Sequence, residues 1–163
     1  MLPTPEQLQI REAAREFAQE RLKPFAAEWD KQHRFPREAI AEMAQLGFFG
    51  MLVPEEWGGC DTGYQAYAMA LEEVAAGDGS CSTIMSVHNS VGCVPILKFG
   101  SEAQKQQFLI PLASGEMLGA FALTEPQAGS DASDLKTRAR REAIITFSMA
   151  ASSSLPQGKT PEW

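Results

Sequence analysis

The sequence predicts a mainly α-helical fold in which β-strands begin only late in the chain. Apolar residues recur at helical spacing through most of residues 1–115, between signals that start and stop helices. The first short apolar run that ends in a turn signal is Ala120–Leu123, and it suits a buried strand better than a helix. We therefore expect an N-terminal helical domain at 1–115, the start of a β domain at 116–142 and a tail at 143–163.

Composition fits one ordinary globular domain that can bury a core, since 44% of the 163 residues are hydrophobic and 21% are charged. The net charge of −7 argues against a nucleic-acid or anionic-membrane surface, because both need basic patches. No leader pattern or long apolar run is present. The three cysteines, Cys60, Cys81 and Cys93, leave an odd thiol under any pairing and lack metal spacing, which predicts reduced thiols in a cytoplasmic protein without a metal site.

Two helices are predicted in the first part of the chain. Thr4-Pro5 is a helix start, with a hydroxyl at the N-cap and proline at the first helical position. Helical spacing then continues until Lys23-Pro24 interrupts it. Trp29 and Phe35 anchor a connecting segment, and the second helix covers Pro36–Gly47.

The middle of the chain predicts a loop and then a helix. Glycines and Pro54 punctuate Phe48–Gly63, which indicates a loop or a short extended piece. Tyr64–Ala76 repeats apolar residues at helical spacing and is followed by Gly77-Asp78-Gly79, a helix stop.

Two further helices are predicted before the first strand. Ser80–Phe99 carries almost no charge, which is typical of a central buried helix, and Pro95 is placed to kink it. Ser101 with Gln104 forms a capping box that opens a helix over Glu102–Leu112.

The stretch Gly119–Asp131 offers a lining for a planar, anionic cofactor. Pro126 forces Glu125 into extended geometry, and the small residues after it let the chain bend. Thr124 and Ser130 bring hydroxyls, and Ala122, Ala128 and Gly129 offer no bulk that would hold a flat ligand away. The other interpretation is a strand and turn that close a core, with the hydroxyls bonding their own backbone.

Several motifs in this chain resemble those of the acyl-CoA dehydrogenase family. Phe121–Asp131, FALTEPQAGSD, looks like the family's flavin-contacting signature. Four more segments fall where the family has recurring ones: Gly50–Gly59, Ile84–Asn89, Pro95–Ser101 and Gln104–Gln106. The resemblance covers residues 1–142 and implies the N-terminal helical domain followed by the first strands of the middle β domain, so that the chain is a truncated member.

The resemblance also implies an activity. Family members are FAD-dependent oxidoreductases that dehydrogenate an acyl-CoA thioester between its α and β carbons and pass the electrons to an electron-transfer flavoprotein. They act in fatty acid or branched-chain amino acid catabolism, and intact members are homo-oligomers. IMSVHNS and PILKFGS look closer to short-chain and short branched-chain members, which points to a short or branched substrate.

The resemblance assigns flavin contacts to Phe121, Ala122, Leu123, Thr124, Glu125, Pro126, Gln127, Ala128, Gly129 and Ser130. In this assignment Thr124 and nearby N–H groups bond the polar edge of the ring, and Ser130 lies near the pyrophosphate or the acyl-CoA. The family's catalytic base is a carboxylate on a later helical domain that this chain lacks, so we expect the chain alone to be inactive.

Other candidate side chains have simpler explanations. We expect Glu125 to make a structural hydrogen bond rather than act as a base, and His88 to be a satisfied core histidine. A fatty acyl chain could contact four residues that serve equally well as packing between helices: Tyr64, Tyr67, Met85 and Val91.

The end of the chain differs in character. Asp134–Arg141 alternates enough to predict a second, exposed strand, whereas 143–163 has a linker composition that predicts disorder. Back-translated with one nucleotide restored at its start, this tail can read GDHYVLNGCKQFITSGQNAGV, which resembles the next family segment with Asn-Gly at a hairpin turn. We therefore interpret the tail as the product of a frameshifted gene or a sequencing error; the alternative is a natural short paralogue with a tail of its own.

A second hypothesis treats the chain as a helical interaction module without a cofactor, in which the Thr-Glu-Pro turn is plain scaffolding. Flavin binding by the chain separates the two hypotheses only in part, because a truncated site binds flavin weakly. Repairing the reading frame and assaying electron transfer from a short acyl-CoA is the sharper test.

Overall fold

The computed structural model describes residues 2–142 and 145–149. It divides into two compact units, which we call unit 1 (Met1–Ala120) and unit 2 (Phe121–Trp163). The boundary lies later than the predicted one at residue 115. Backbone hydrogen bonds explain the difference, because the Met117 N–H donates to the Pro111 carbonyl at 3.0 Å and so ties this stretch to the helices.

Unit 1 is built from helical segments. In chain order they are α1 (Pro5–Phe17), α2 (Ala26–Gln32), α3 (Arg37–Gln45), α4 (Gly63–Gly77), α5 (Gly79–Val87), α6 (Val94–Phe99), α7 (Glu102–Gln104) and α8 (Ile110–Ala113). Stretches of π-helix continue α1, join α5 to α6 and join α7 to α8: Ala18–Leu22, His88–Cys93 and Lys105–Leu109. A 3₁₀ turn covers Glu55–Trp57.

The predicted helix starts are confirmed. The Thr4 hydroxyl accepts from the Gln7 N–H at 3.2 Å, and the Gln7 side chain accepts from the Thr4 N–H, so two otherwise unpaired donors are satisfied. Ser101 and Gln104 form the same reciprocal pair at the start of α7.

Helix α2 was missed, because residues 25–35 were expected to be only a connecting segment. None of its residues is buried and no side chain caps its start, so the sequence shows neither an apolar stripe nor a start signal. Phe25 stacks on Trp29 with ring centroids 5.8 Å apart. His33, at a left-handed φ of 52°, ends the helix.

The core of unit 1 lies in two clusters of buried side chains. The larger one is formed by α1, α3, α4, α5 and the segment that follows α3, and the smaller one lies around Trp57, Leu109 and Leu112. The predicted loop Phe48–Gly63 supplies both clusters, since Phe49 and Val53 are fully buried. Its backbone bonds to itself, with the Cys60 N–H donating to the Gly50 carbonyl at 2.9 Å.

The predicted helix Ser80–Phe99 is confirmed as one helical run that contains a π-stretch. The irregular hydrogen bonding begins at His88, well before Pro95. Pro95 itself lies in the first turn of α6, where a missing N–H is tolerated.

Unit 2 contains an antiparallel pair of strands, β1 (Arg138–Glu142) and β2 (Ile145–Met149). Arg138 lies opposite Met149, and Glu142 opposite Ile145. The predicted strand at Asp134–Arg141 is therefore present but shifted toward the C-terminus.

The predicted buried strand at Ala120–Leu123 is wrong. These residues have no strand pairing within the described residues, and Phe121 is 51% exposed. An apolar run becomes a strand only when a neighbouring strand accepts and donates its hydrogen bonds, and the described part of the chain offers none here. As for the predicted tail at 143–163, residues 145–149 form β2 and the rest lies outside the described residues, where disorder stays a prediction.

Candidate cofactor-binding segment

The segment Phe121–Ser130 is shaped by a tight turn. The Glu125 N–H donates to the Ala128 carbonyl at 3.0 Å, and the Ala128 N–H donates back to the Glu125 carbonyl at 3.1 Å. Pro126 occupies the position after Glu125 in this turn, where its fixed φ costs no hydrogen bond. The reciprocal pair fixes the backbone at both ends of the turn.

Glu125 anchors this turn to the chain just before β1. Its carboxylate accepts from the N–H groups of Lys136 at 2.8 Å and Thr137 at 2.9 Å, and also from the Thr137 hydroxyl and the Gln127 amide. The Thr137 hydroxyl first, and then the backbone donors, lower the pKa of Glu125 to about 2. The predicted structural hydrogen bonding of Glu125 is therefore confirmed. A carboxylate with so low a pKa is a poor proton acceptor at neutral pH, and that Glu125 is not the base stays a prediction.

The other face of the turn is open. Thr124 and Ser130 are exposed, and within the described residues neither hydroxyl nor the N–H groups of Gly129 and Ser130 bond a protein acceptor. A Cβ added at Gly129 would meet no protein atom within 4 Å. Donors that lie beside open space suit a flat, polar ligand that approaches the backbone.

The predicted site residues therefore separate into two groups. Glu125 and Ala128 are buried and hold the turn, whereas the other predicted contact residues are exposed. Next to them, the Asp131 carboxylate accepts from the Ser133 hydroxyl and N–H, and these bonds lower the pKa of Asp131. Sequence reasoning missed this second small turn, although Asp two residues before Ser is a common signal for one.

His88 is fully buried in unit 1, with its ring packed against Phe49 at 4.7 Å between centroids. Its Nδ1 accepts from the Gly119 N–H at 3.1 Å, so Nε2 carries the proton and donates to the Leu112 carbonyl at 2.9 Å. Burial lowers the pKa of His88. The prediction of a satisfied core histidine is confirmed.

Asn89, the next residue, was not given a role by sequence reasoning. Its Nδ2 donates to the carbonyls of Phe48 at 2.8 Å and Met85 at 3.0 Å, which joins the π-stretch to the segment after α3. The signal that could have revealed this role is the polar pair His88-Asn89 in an almost uncharged helix. A buried amide needs hydrogen-bond partners, and these are commonly backbone groups.

Two of the four candidate acyl contacts are packing residues. Met85 is fully buried, and the Tyr67 hydroxyl donates to the Ser86 carbonyl at 3.3 Å. Tyr64 is 66% exposed and Val91 is partly exposed, so only these two remain accessible to a ligand.

The three cysteines are free thiols. Cys60 is exposed, whereas burial raises the pKa of Cys81 and Cys93 to about 12. Within the described residues, none of the helices has the length and apolar character needed to cross a membrane.

Comparison with known proteins identifies the class to which this chain belongs. Residues 4–116 match the family model "Acyl-CoA dehydrogenase, N-terminal domain". The mitochondrial short-chain specific acyl-CoA dehydrogenase of Rattus norvegicus is 48% identical over 141 residues, which are 86% of this chain and 34% of the relative.

Solved structures agree with this match. A chain from the structural study of the electron transferring flavoprotein of Acidaminococcus fermentans has a TM-score of 0.86 at 38% identity, covering 91% of this chain and 39% of that chain. The acyl-CoA dehydrogenase of Bacillus anthracis, complexed with FAD, has a TM-score of 0.79 at 36% identity; the match covers 86% of this chain and 25% of that chain.

The chain therefore belongs to the acyl-CoA dehydrogenase family. Its helical part has the fold of that family's N-terminal domain, as the resemblance implied. The chain spans about a third of the length of the curated relatives it matches (34%).

Proposed function

We propose that Phe121–Ser130 is one part of the FAD site of a dehydrogenase that acts on a short or branched acyl-CoA. The observation that carries the proposal is the open, donor-rich face beside Gly129, held in place by the buried Glu125 carboxylate. The FAD-containing relative from Bacillus anthracis and the short-chain specific relative from rat support the choice of cofactor and substrate. The comparisons favour this function over a cofactor-free interaction module.

The residues of this chain have defined tasks in the proposal. FAD, when bound, supplies the hydride acceptor. The Thr124 hydroxyl and neighbouring N–H groups donate to the polar edge of the ring, where negative charge collects on reduction. Ser130 lies near the pyrophosphate of FAD or near the acyl-CoA in this proposal. An electron-transfer flavoprotein is the proposed acceptor of the electrons, and the cytoplasmic location stays a prediction.

A binding experiment tests the flavin segment. The 163-residue chain is titrated against FAD by equilibrium dialysis, beside Thr124→Val and the control Ser80→Ala, which removes an exposed hydroxyl from unit 1. We expect saturable binding that Thr124→Val weakens about fivefold and Ser80→Ala leaves unchanged, since one hydrogen bond to the ring is lost. Equal affinities for Thr124→Val and the unsubstituted chain would contradict the assignment.

The proposed activity needs a base that lies, in the family, on a later helical domain. Residues 1–142 are therefore joined to the part of the rat relative that follows its matched region. We expect this chimera to bleach its flavin with a short acyl-CoA, while the 163-residue polypeptide leaves the thioester untouched. Turnover by the 163-residue polypeptide alone would refute the proposal that the base lies outside residues 1–163. A chimera that binds FAD but oxidises no acyl-CoA would refute the proposed activity.

We also propose that residues 143–163 arise from a shifted reading frame. The support is the back-translated string that resembles the next family segment. Sequencing the gene tests it, because the other frame must continue the family pattern beyond this tail.

A further inference from the structure

Gly119, two residues before the flavin segment, is held by two contacts. Gly119 lies in the stretch after α8, outside any helix, and its N–H donates to Nδ1 of the fully buried His88. The same imidazole donates through Nε2 to the Leu112 carbonyl near the end of α8. One side chain thus joins the end of the last helix to the chain that leaves it.

The backbones also touch directly at this point. A Cβ built on Gly119 would lie 3.3 Å from Cα of Gly92, and a Cβ built on Gly92 would lie 3.6 Å from Cα of Gly119. Both His88 and Gly92 belong to the π-stretch His88–Cys93. The π-stretch therefore presents a hydrogen-bond acceptor and a bare backbone surface to Gly119, and a Cβ at Gly119 would make a tight contact with that surface.

A core-filling role does not require this arrangement. A hydrocarbon side chain could fill the same space, but it would leave the Gly119 N–H without its partner and the Leu112 carbonyl with the bond from the Gly115 N–H alone. Gly119 lies in neither a helix nor a strand, close to the end of unit 1 at Ala120, so regular secondary structure does not satisfy its N–H. The hydrogen bond specifies the conformation of that exit.

We propose that His88 is a positioning residue for the flavin-contact segment. By holding Gly119, it orders the last residues of unit 1, from which the backbone continues into Phe121–Ser130. The inference rests on the proposed flavin function and adds a residue that touches neither flavin nor substrate. Its effect is pre-organisation, since a segment that starts ordered loses less entropy when the ligand binds.

Two substitutions separate the two hydrogen bonds of the ring. In His88→Asn, the amide oxygen lies near the position of Nδ1 and keeps the acceptor for Gly119 while losing the bond to Leu112. In His88→Gln, the amide nitrogen reaches toward the Leu112 carbonyl and keeps that bond, while the Gly119 acceptor is lost. Both variants remove the imidazole ring, so a role in packing alone affects them alike.

The test combines amide exchange at Gly119 and Phe121 with FAD affinity from equilibrium dialysis, using the full 163-residue chain. We expect His88→Gln to speed exchange at Gly119 and to weaken FAD binding about fivefold to tenfold, as loss of one ordering hydrogen bond predicts. We expect the conservative His88→Asn to restore both properties to within about twofold of the unsubstituted chain. Equal losses in the two variants, or unchanged FAD affinity in His88→Gln, would overturn the inference.

A further measurement needs no substitution and covers the case in which both variants unfold. ¹⁵N NMR of the unsubstituted chain should show His88 with an unprotonated Nδ1 and a coupling across the hydrogen bond to the Gly119 nitrogen. Absence of that coupling refutes the anchor itself. If the coupling is present but the unsubstituted chain binds no FAD, the flavin proposal fails while the anchor stands.

Discussion

The two units differ in what stabilises them. In unit 1, large apolar side chains such as Phe49, Leu22 and Met43 are fully buried and form continuous clusters. Among the described side chains of unit 2, residues 121–138, only Glu125 and Ala128 are buried. Unit 1 is therefore stabilised by apolar burial, whereas residues 121–138 are held by hydrogen bonds of their turns, several of which end on the Glu125 carboxylate.

The comparison extends to two buried ionisable groups, His88 in unit 1 and Glu125 in unit 2. His88 lies among apolar side chains and stays neutral, because burying its charge there would cost more than its two backbone bonds return. Glu125 stays charged, because several N–H and O–H donors surround its oxygens. Each group pairs backbone atoms that no helix or sheet satisfies, and each lies beside the chain that enters or forms the proposed flavin segment.

The largest expected effect is the loss of apolar packing in unit 1. Phe49→Ala should lower the free energy of unfolding by about 3–5 kcal/mol, because it removes a fully buried ring that contacts His88. Urea denaturation followed by circular dichroism measures it. The matched control is Phe99→Ala, whose ring is 85% exposed, and which should change the free energy by less than about 0.5 kcal/mol. Similar losses in the two variants would deny that unit 1 depends on this cluster.

The second effect concerns unit 2 alone. Glu125→Gln keeps the shape of the side chain but weakens its bonds to Lys136 and Thr137, so these amides should exchange about tenfold faster or more. Hydrogen exchange read by NMR measures the rates, with the exposed Glu56→Gln as control. Exchange in α4 should be unaffected. Equal acceleration in both units would mean that Glu125 stabilises more than its own turn.

Much of unit 1 could be predicted from sequence because helix signals are local. The caps at Thr4 and Ser101 and the stop at Gly77 are set by neighbouring residues and are present as expected. Helix α2 could not be predicted, since its short run lacks a buried face. The fully buried Phe49 was hidden for another reason: its segment looks like a loop, and burial there depends on helices far away in sequence.

The candidate site divides along the same line. The exposed donors of Thr124 and Ser130 follow from residue type and the turn at Pro126. The hydrogen bonds between Thr137 and Glu125 and between Gly119 and His88 join residues distant in sequence, so residue spacing does not predict these contacts. The expected strand at Ala120–Leu123 failed because strand formation depends on a partner that an apolar run cannot specify.

Acid should affect the two units in different pH windows. Burial lowers the pKa of His88 below its unfolded value of about 6.5, so the unfolded chain binds a proton below that pH while the folded chain does not. The free energy of unfolding of unit 1 therefore falls as the pH drops below about 6.5, by at most about 1.4 kcal/mol per pH unit. Glu125 has a folded pKa of about 2, so its contribution is complete above about pH 4.3 and is lost only between there and about pH 2.

Urea denaturation from pH 7 to pH 5 measures the first window, and exchange at Lys136 below pH 4.3 measures the second. In His88→Gln the slope between pH 6.5 and pH 5 should disappear, because no imidazole is left to titrate at that position. Persistence of the slope in this variant would assign it to another group. Loss of the Lys136 hydrogen bond already at pH 6 would contradict a charged, firmly held Glu125.

The smallest expected effect tests whether surface charge adds to the apolar stability of unit 1. Arg21 forms a two-pronged ion pair with Glu42, its Nε donating to Oε2 at 2.7 Å, and so joins the π-stretch after α1 to α3. Both groups are in contact with solvent, so the Tm coupling in a double-mutant cycle should be about 3 °C or less and should shrink in 1 M salt. Arg34 with Glu38 is the matched control, since it pairs residues four apart in sequence and joins no second helix. A smaller coupling for Arg21 and Glu42 than for this local pair would show that this link between two helices adds no stability to unit 1.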